Sequence, residues 1–436
     1  MPVRQCAIAL LSLLGFAIPC AGADTPDALR AQIEKRVASV EPAVVAWRRD
    51  FHANPELGNR ETRTAAIVAE HLRRLGLEVR TGVGVTGVVG VLRGARPGKA
   101  VALRADMDAL PVTEQVDLPF ASKVRTTWNG QEVGVMHACG HDTHVAMLMG
   151  AAEVLAGLRE QLAGTVTFIF QPAEEGAPRG EDGGAELMIA QGALDNPRAE
   201  AIFGLHAYTA PFGALAYRAG GFMASSDTFR ITVHGVQTHG AQPWRGVDPV
   251  VIGSQIVLGL QTIVSRQTNL TVTPAVITVG IFRGGLRSNI IPDEAYLEGT
   301  IRTFDESVRD GIHQRIKNTA VSIAAASGAT ADVEIERGNS VTRNDDALTR
   351  QMLPTLERVA GQGKVLELPP QTVAEDFSAY QERIPGLFLF LGVTPPDQDW
   401  KTAASNHSPR FIADERALPV GVRALVELAV DFLNAR

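Results

Sequence analysis

Four short, almost wholly apolar runs punctuate the chain, at residues 99–104, 165–170, 201–205 and 385–393. The first three are followed at once by acidic or imidazole side chains: Asp106 and Asp108, then Glu174 and Glu175, then His206. A run apolar at consecutive rather than alternate positions reads as a strand buried on both faces. Between the runs, apolar residues recur at helical spacing: Leu29, Ile33, Val37 and Val40; Ile67, Val68, Leu72 and Leu75; Val145, Met149, Ala152 and Leu155. Gly76 stops the second of these, and Asp142 is placed to cap the third. Buried strands alternating with helices predict an α/β fold, with a mostly parallel sheet and helices on both faces. In such a sheet, functional groups gather beyond the carboxyl ends of the strands, where Asp106, Glu174 and His206 lie.

Between residues 221 and 338 the pattern changes to strand (228–233), helix (248–265), strand (275–282), strand (294–303), helix (307–326) and strand (331–336). That βαββαβ order is the ferredoxin-like unit. The return of a buried run at 385–393 makes it an insertion. The expected division is a first catalytic part at 24–220, an inserted lid or dimerisation unit at 221–332, and a second catalytic part at 333–436. A chain of 436 residues has room for two or three domains at about 150 each.

The N-terminus carries Arg4, then an apolar stretch over 7–18, then the small residues of Cys20-Ala-Gly-Ala23. This is the pattern of a secretory signal peptide over 1–23, which predicts an exported, periplasmic or secreted protein. The apolar stretch is shorter than the roughly 20 residues a membrane span requires, and Pro19 and Ile18 fit poorly before a lipidated Cys20. No later segment is expected to anchor the chain in a membrane. With Cys6 and Cys20 in that segment, Cys139 is the thiol that remains, and it has no internal disulfide partner. Lys plus Arg number 41 against 48 Asp plus Glu, a net charge of −7 with no basic stripe, which argues against nucleic acid as a partner.

The densest chemistry is MHACGHDTH, residues 136–144, where His137, His141 and His144 surround Cys139. A thiolate and an imidazole two residues apart on a loop before a helix can face one divalent ion. Glu174 and Glu175, in QPAEEG, are expected to point to opposite sides of a strand end, so that one ligates while the other works as a base. His206 and His407 are each weak signals alone. Gly82, Gly84 and Gly87 spell GxGxxG, but residues 88–92 read as strand, so no helix N-terminus is there for a dinucleotide phosphate. Asn269-Leu-Thr271 and Asn406-His-Ser408 match the glycosylation pattern without further support.

The ordered motifs HANPELGNRET (52–62), RADMDALP (104–111), MHACGHDTH, QPAEEG (171–176), GLHAY (204–208), HGVQTHGAQP (234–243), GVDP (246–249), SNIIPD (288–293), EDFS (375–378) and NHSP (406–409) carry a resemblance. From about Trp47 to its end the chain resembles the metallopeptidase and amidohydrolase family of aminoacylase and carboxypeptidase G. It is most similar to the branch of hippurate hydrolases, bacterial N-acyl-amino-acid amidohydrolases and plant auxin-conjugate hydrolases. The resemblance implies an amidohydrolase for N-acyl amino acids, with a dipeptidase or carboxypeptidase as the alternative. It implies two divalent ions per subunit, zinc or manganese first and cobalt or nickel next, held by Cys139, His141, Glu175, His206 and His407. Glu174 would be the general base and acid, and Asp108 a carboxylate behind the ligands. His239 would reach the scissile carbonyl of a partner subunit in a homodimer built through the lid, while Asn289 and Arg302 would grip the substrate carboxylate. Where the branch often has a histidine after the lid proline, this chain has Trp244.

Two rivals remain. A cysteine hydrolase using Cys139 predicts that a chelator is harmless and alkylation lethal. A non-catalytic metal- or solute-binding protein predicts binding without turnover.

Overall fold

The computed structural model describes residues 26–435. The expected signal peptide, with Cys6 and Cys20, lies outside the described residues.

Eight strands form the larger sheet, in the order Glu78–Val83, Gly87–Arg93, Ala163–Gln171, Arg96–Asp106, Ala201–Tyr208, Gly386–Gly392, Leu215–Tyr217 and Val365–Glu367. The four apolar runs of the sequence are its centre, and they run parallel to one another. Their carboxyl ends therefore open on one edge of the sheet. Antiparallel strands extend the sheet on either side of these four. One face is covered by the long helices Pro26–Ala53, His141–Ala156 and Leu418–Asn434. The other is covered more thinly, by the short helices Gly184–Ala190 and Ser378–Gln381 and by Phe222, which packs on the sheet's own Phe390.

The helix His141–Ala156 is buried on nearly every side, as expected of one apolar all round. Its approach to Pro26–Ala53 needs a missing side chain: a Cβ on Gly150 would lie 2.6 Å from Val44 Cγ2. The expected cap by Asp142 is not what forms. Gly140 stands at the N-cap position with φ 93°, and the Asp142 carboxylate instead meets Arg48 Nε at 2.9 Å and His52 Nδ1 at 2.8 Å. Local capping rules lose here to a buried ion pair.

A second sheet is antiparallel throughout, in the order Ala275–Gly284, Glu294–Thr303, Asp227–His234, Thr330–Arg337. The helices Pro249–Gln267 and Glu306–Ala326 complete the βαββαβ order, capped by the Asp248 and Asp305 side chains. The last strand continues past residue 332 to Arg337. Alternation in Asp227–His234 buries one face in a core of its own, which includes Phe229, Ile231, Leu297, Ile256 and Ile316. By length and composition Pro249–Gln267 could cross a bilayer, contrary to the sequence expectation. Its Ile252, Ile256, Leu260 and Ile263 are nonetheless buried in this second core.

The two chain crossings between the sheets are tied at one carboxylate. Asp227 accepts hydrogen bonds from Arg309 Nε (2.9 Å), His313 Nε2 (2.7 Å) and the Gly338 N–H (3.1 Å). Burial raises its pKa, but the hydrogen bonds from His313 and Arg309 win and hold it at about 2. Since the folded pKa lies below the unfolded one near 3.9, the stabilisation is full above about pH 4 and fades as pH falls towards 2; its size is on the order of 2 kcal/mol. Asp227→Asn should cost about 3 kcal/mol at pH 7, because it leaves the buried Arg309 with only the more exposed Glu306 as a counter-charge. Urea unfolding should show that deficit shrinking between pH 5 and pH 3. An equal deficit at both pH values would refute the assignment.

Candidate metal centre

Cys139 and His141 sit where the loop after Gly134 enters the helix His141–Ala156, and His206 lies near the end of the strand Ala201–Tyr208. Glu174 and Glu175 follow the strand Ala163–Gln171, and His407 arrives from a turn ahead of the last helix. These segments, distant in sequence, converge. Cys139 Sγ is 3.4 Å from His206 Nε2 and 3.2 Å from His407 Nε2. His407 Nε2 is 2.8 Å from Glu175 Oε1, and His141 Nε2 is 3.8 Å from Glu174 Oε2. Three overlapping groups, Cys139–His141–His206, Cys139–Glu175–His407 and His141–Glu174–Glu175, each have their donor atoms within 4.8 Å of one another.

The glutamates do not alternate across a strand as expected. They occupy a turn that begins three residues past the strand end, and both line the same cavity. The turn depends on Ala173, whose φ of 52° is left-handed, as is that of His407 at 68°. Such residues cost about 1–2 kcal/mol each and persist where surrounding contacts enforce them. The Glu175 N–H donates to Asp108 Oδ2 at 3.0 Å, and the His407 N–H to the Ala138 carbonyl at 2.8 Å. Asn406 donates to the carbonyls of Cys139 (2.8 Å) and Ala207 (3.0 Å), stapling two ligand-bearing segments.

Hydrogen bonds to one ring nitrogen decide what the other can do. His206 Nδ1 donates to the Ala207 carbonyl at 2.7 Å, which leaves Nε2 a lone pair aimed at Cys139. His141 Nδ1 faces Asp108 Oδ1 at 3.2 Å, and its Nε2 is buried with no hydrogen-bond partner. His144 is different: its Nε2 accepts the Ala207 N–H at 2.7 Å, so its Nδ1 donates to Asp106 at 2.6 Å and no lone pair remains. His137 is buried away from partners, and burial lowers its pKa to about 4.

The charge balance calls for cations. Burial, then the neighbouring Glu375 and Glu175, push the Glu174 carboxyl well above the usual carboxylate range. Burial, then Glu175 and Glu174, raise the Cys139 thiol as well. Asp106, Glu375 and Asp376 gather round Arg104, the guanidinium of which reaches them at 2.5, 2.9 and 2.9 Å. One buried arginine does not offset this many carboxylates. A thiol, three imidazoles and a carboxylate suit borderline divalent ions, and the unpartnered His141 Nε2 is what a ligand atom looks like. The carboxylates that raise Cys139 are also the wrong neighbours for a cysteine nucleophile, which needs a depressed pKa.

A cavity of about 220 Å³ opens on this cluster, lined by Cys139, Glu174, Glu175, His206 and His407 on one side and by Tyr208, Met223, Val373 and Phe390 on the other. Asn289, Arg302 and His239 do not line it. His239 and Asn289 are exposed and adjacent, since His239 pairs with Ile290 and the Gly240 N–H donates to the Asn289 carbonyl at 2.8 Å. Arg302 is half-buried near the other end of the strand Glu294–Thr303, eight residues from its start. Roughly 25 Å of extended chain separates Arg302 from that start, which itself lies five residues after Asn289. Sequence reasoning missed Arg104, Glu375 and Glu61 around the site. They lie within the motifs RADMDALP, EDFS and HANPELGNRET, but no local pattern reveals that their charges are buried around the site.

The fold and this cluster define a metal-dependent hydrolase of carbon–nitrogen bonds. The chain belongs to peptidase family M20/M25/M40, which matches residues 102–431. It is 41% identical over 406 residues to thermostable carboxypeptidase 2 of Saccharolobus solfataricus, covering 92% of this chain and 98% of that one. It is 39% identical over 404 residues to IAA-amino acid hydrolase ILR1-like 2 of Arabidopsis thaliana, covering 91% and 87%. Among solved structures, the Bacillus subtilis YXEP protein, described as a dinuclear metal binding peptidase of the M20 family, superposes with a TM-score of 0.77 at 34% identity, covering 92% and 100%.

Proposed function

We propose that the protein is an exported amidohydrolase that releases free amino acids from N-acyl amino acids, with Glu174 as general base and acid. The observation that carries this reading is that Glu174 lines one cavity with Cys139, Glu175, His206 and His407 and lies 3.8 Å from His141 Nε2. Two divalent ions held by those five residues, zinc or manganese first, would polarise the amide carbonyl and lower the pKa of water. Glu174 takes the proton of the attacking water and returns it to the leaving amine. Asp108 and the Ala207 carbonyl hold His141 and His206 in the tautomers that leave Nε2 free.

Arg302 grips the substrate carboxylate, a task that suits its planar fork. His239 and Asn289 act from a second copy, His239 on the developing oxyanion. Support for the second copy comes from the outer edge of Ala275–Gly284, unpaired among the described strands, beside exposed Val251, Leu258, Val276 and Phe282. Such an edge is a template for pairing with another chain. Mixing a His239→Ala subunit with a Glu174→Gln subunit, each inactive alone, should restore up to about a quarter of the activity per dimer, by the statistics of two-site mixing. No rescue, with mixed dimers present, would mean that His239 serves its own chain.

Peptide hydrolysis is the second reading, favoured by relatives named carboxypeptidases. Assays of N-acetyl and N-benzoyl amino acids beside dipeptides, on residues 24–436 with metal content measured, separate the two. Metal without any turnover would sink both.

A further inference from the structure

Glu61 is fully buried and makes no ion pair among the described residues; the exposed Arg60 beside it pairs with Glu181 instead. It directly precedes the helix Thr62–Arg74, where an acidic side chain would ordinarily cap the exposed N–H groups, but it makes no cap hydrogen bond. Glu56 takes that task, accepting from the Arg63 N–H at 2.9 Å and the Thr64 N–H at 2.8 Å. The Glu61 carboxyl is thereby free to turn inward. Its Oε1 accepts the Ala173 N–H at 2.9 Å, and its Oε2 accepts the Thr86 hydroxyl at 2.5 Å.

Ala173 is the left-handed residue directly ahead of Glu174. On the other side of Glu174, the next backbone N–H, that of Glu175, is held by Asp108. Two buried carboxylates thus grip the amides flanking the base, one from each side. Gly58, three residues before Glu61, backs the same turn: a Cβ there would lie 3.1 Å from the Gly176 carbonyl oxygen and 3.2 Å from Ala173 Cα. An uncompensated buried carboxyl is costly, and the contact it makes here enforces a backbone conformation that alanine otherwise avoids.

We propose that Glu61 is a positioning residue, whose hydrogen bond to the Ala173 amide holds the left-handed turn that aims Glu174 into the metal cavity. The proposal rests on the reading of Glu174 as the base. Glu61→Ala should lower kcat on an N-acetyl amino acid about 100-fold, with KM within about threefold and about two metal ions still bound, because the ligands stay while the base is misaimed. Glu61→Gln keeps an oxygen for the Ala173 N–H and should recover kcat to within about tenfold of the parent. A crystal structure of Glu61→Ala should show Ala173 outside the left-handed region, a readout independent of turnover. If Glu61→Ala does not fold, Thr86→Val, which frees the second oxygen, should give a smaller drop of about tenfold in kcat alone. Unchanged kcat per metal-loaded chain in these variants, or an unmoved Ala173, overturns the proposal. Full turnover by Glu174→Gln would instead overturn the reading beneath it.

Discussion

Glu174→Gln should lower kcat by about two to four orders of magnitude, the range set by losing a positioned general base, while about two divalent ions stay bound and KM changes little. Glutamine has the shape of the glutamate and can still accept a hydrogen bond, but it cannot carry the proton from water to the departing amine. The loss should therefore appear in kcat and kcat/KM together, as for an interaction made in the transition state. Elemental analysis must accompany the kinetics, because Glu174 Oε2 lies only 3.8 Å from His141 Nε2 and a fall through lost metal would look the same in the assay. Undiminished turnover with metal in place would assign the proton transfer to another group.

Removing the metal is the second large effect. Dialysis against a chelator should lower turnover at least about a thousandfold, equivalent to some 4 kcal/mol of transition-state stabilisation, and zinc or manganese should restore it. The same treatment should lower the melting temperature, because binding to the folded state alone adds about 4 kcal/mol at a thousand times Kd. The electrostatics account for the coupling: without cations, Glu174, Glu175 and Glu375 face one another and the Cys139 thiol across a buried cavity. Cys139→Ser should weaken metal retention more than it weakens folding. Activity that survived chelation and died on alkylation would return Cys139 to consideration as a nucleophile.

The main sheet was legible because its four central strands are buried on both faces and so appear as unbroken apolar runs. The βαββαβ insertion was legible for the opposite reason, clean alternation on a sheet with one covered face. His407 could be placed only by resemblance, since nothing local distinguishes it; what brings it to Cys139 is the Asn406 staple and a left-handed backbone. The failures share one cause. Asp142 looked like a cap because a capping rule sees four residues, whereas its partners Arg48 and His52 lie about ninety positions earlier. Glu174 and Glu175 looked like strand neighbours because the turn depends on Glu61, more than a hundred positions away.

The order in which the chain supplies the cluster also matters. Cys139 and His141 come first, Glu174, Glu175 and His206 follow within seventy residues, and His407 is reached only after the whole second sheet has intervened. During synthesis, an unfinished chain therefore holds most of the candidate donors but not His407, and Asn406 is not yet there to clamp Cys139 to Ala207. Hydrolytic competence thereby becomes a property of the completed polypeptide.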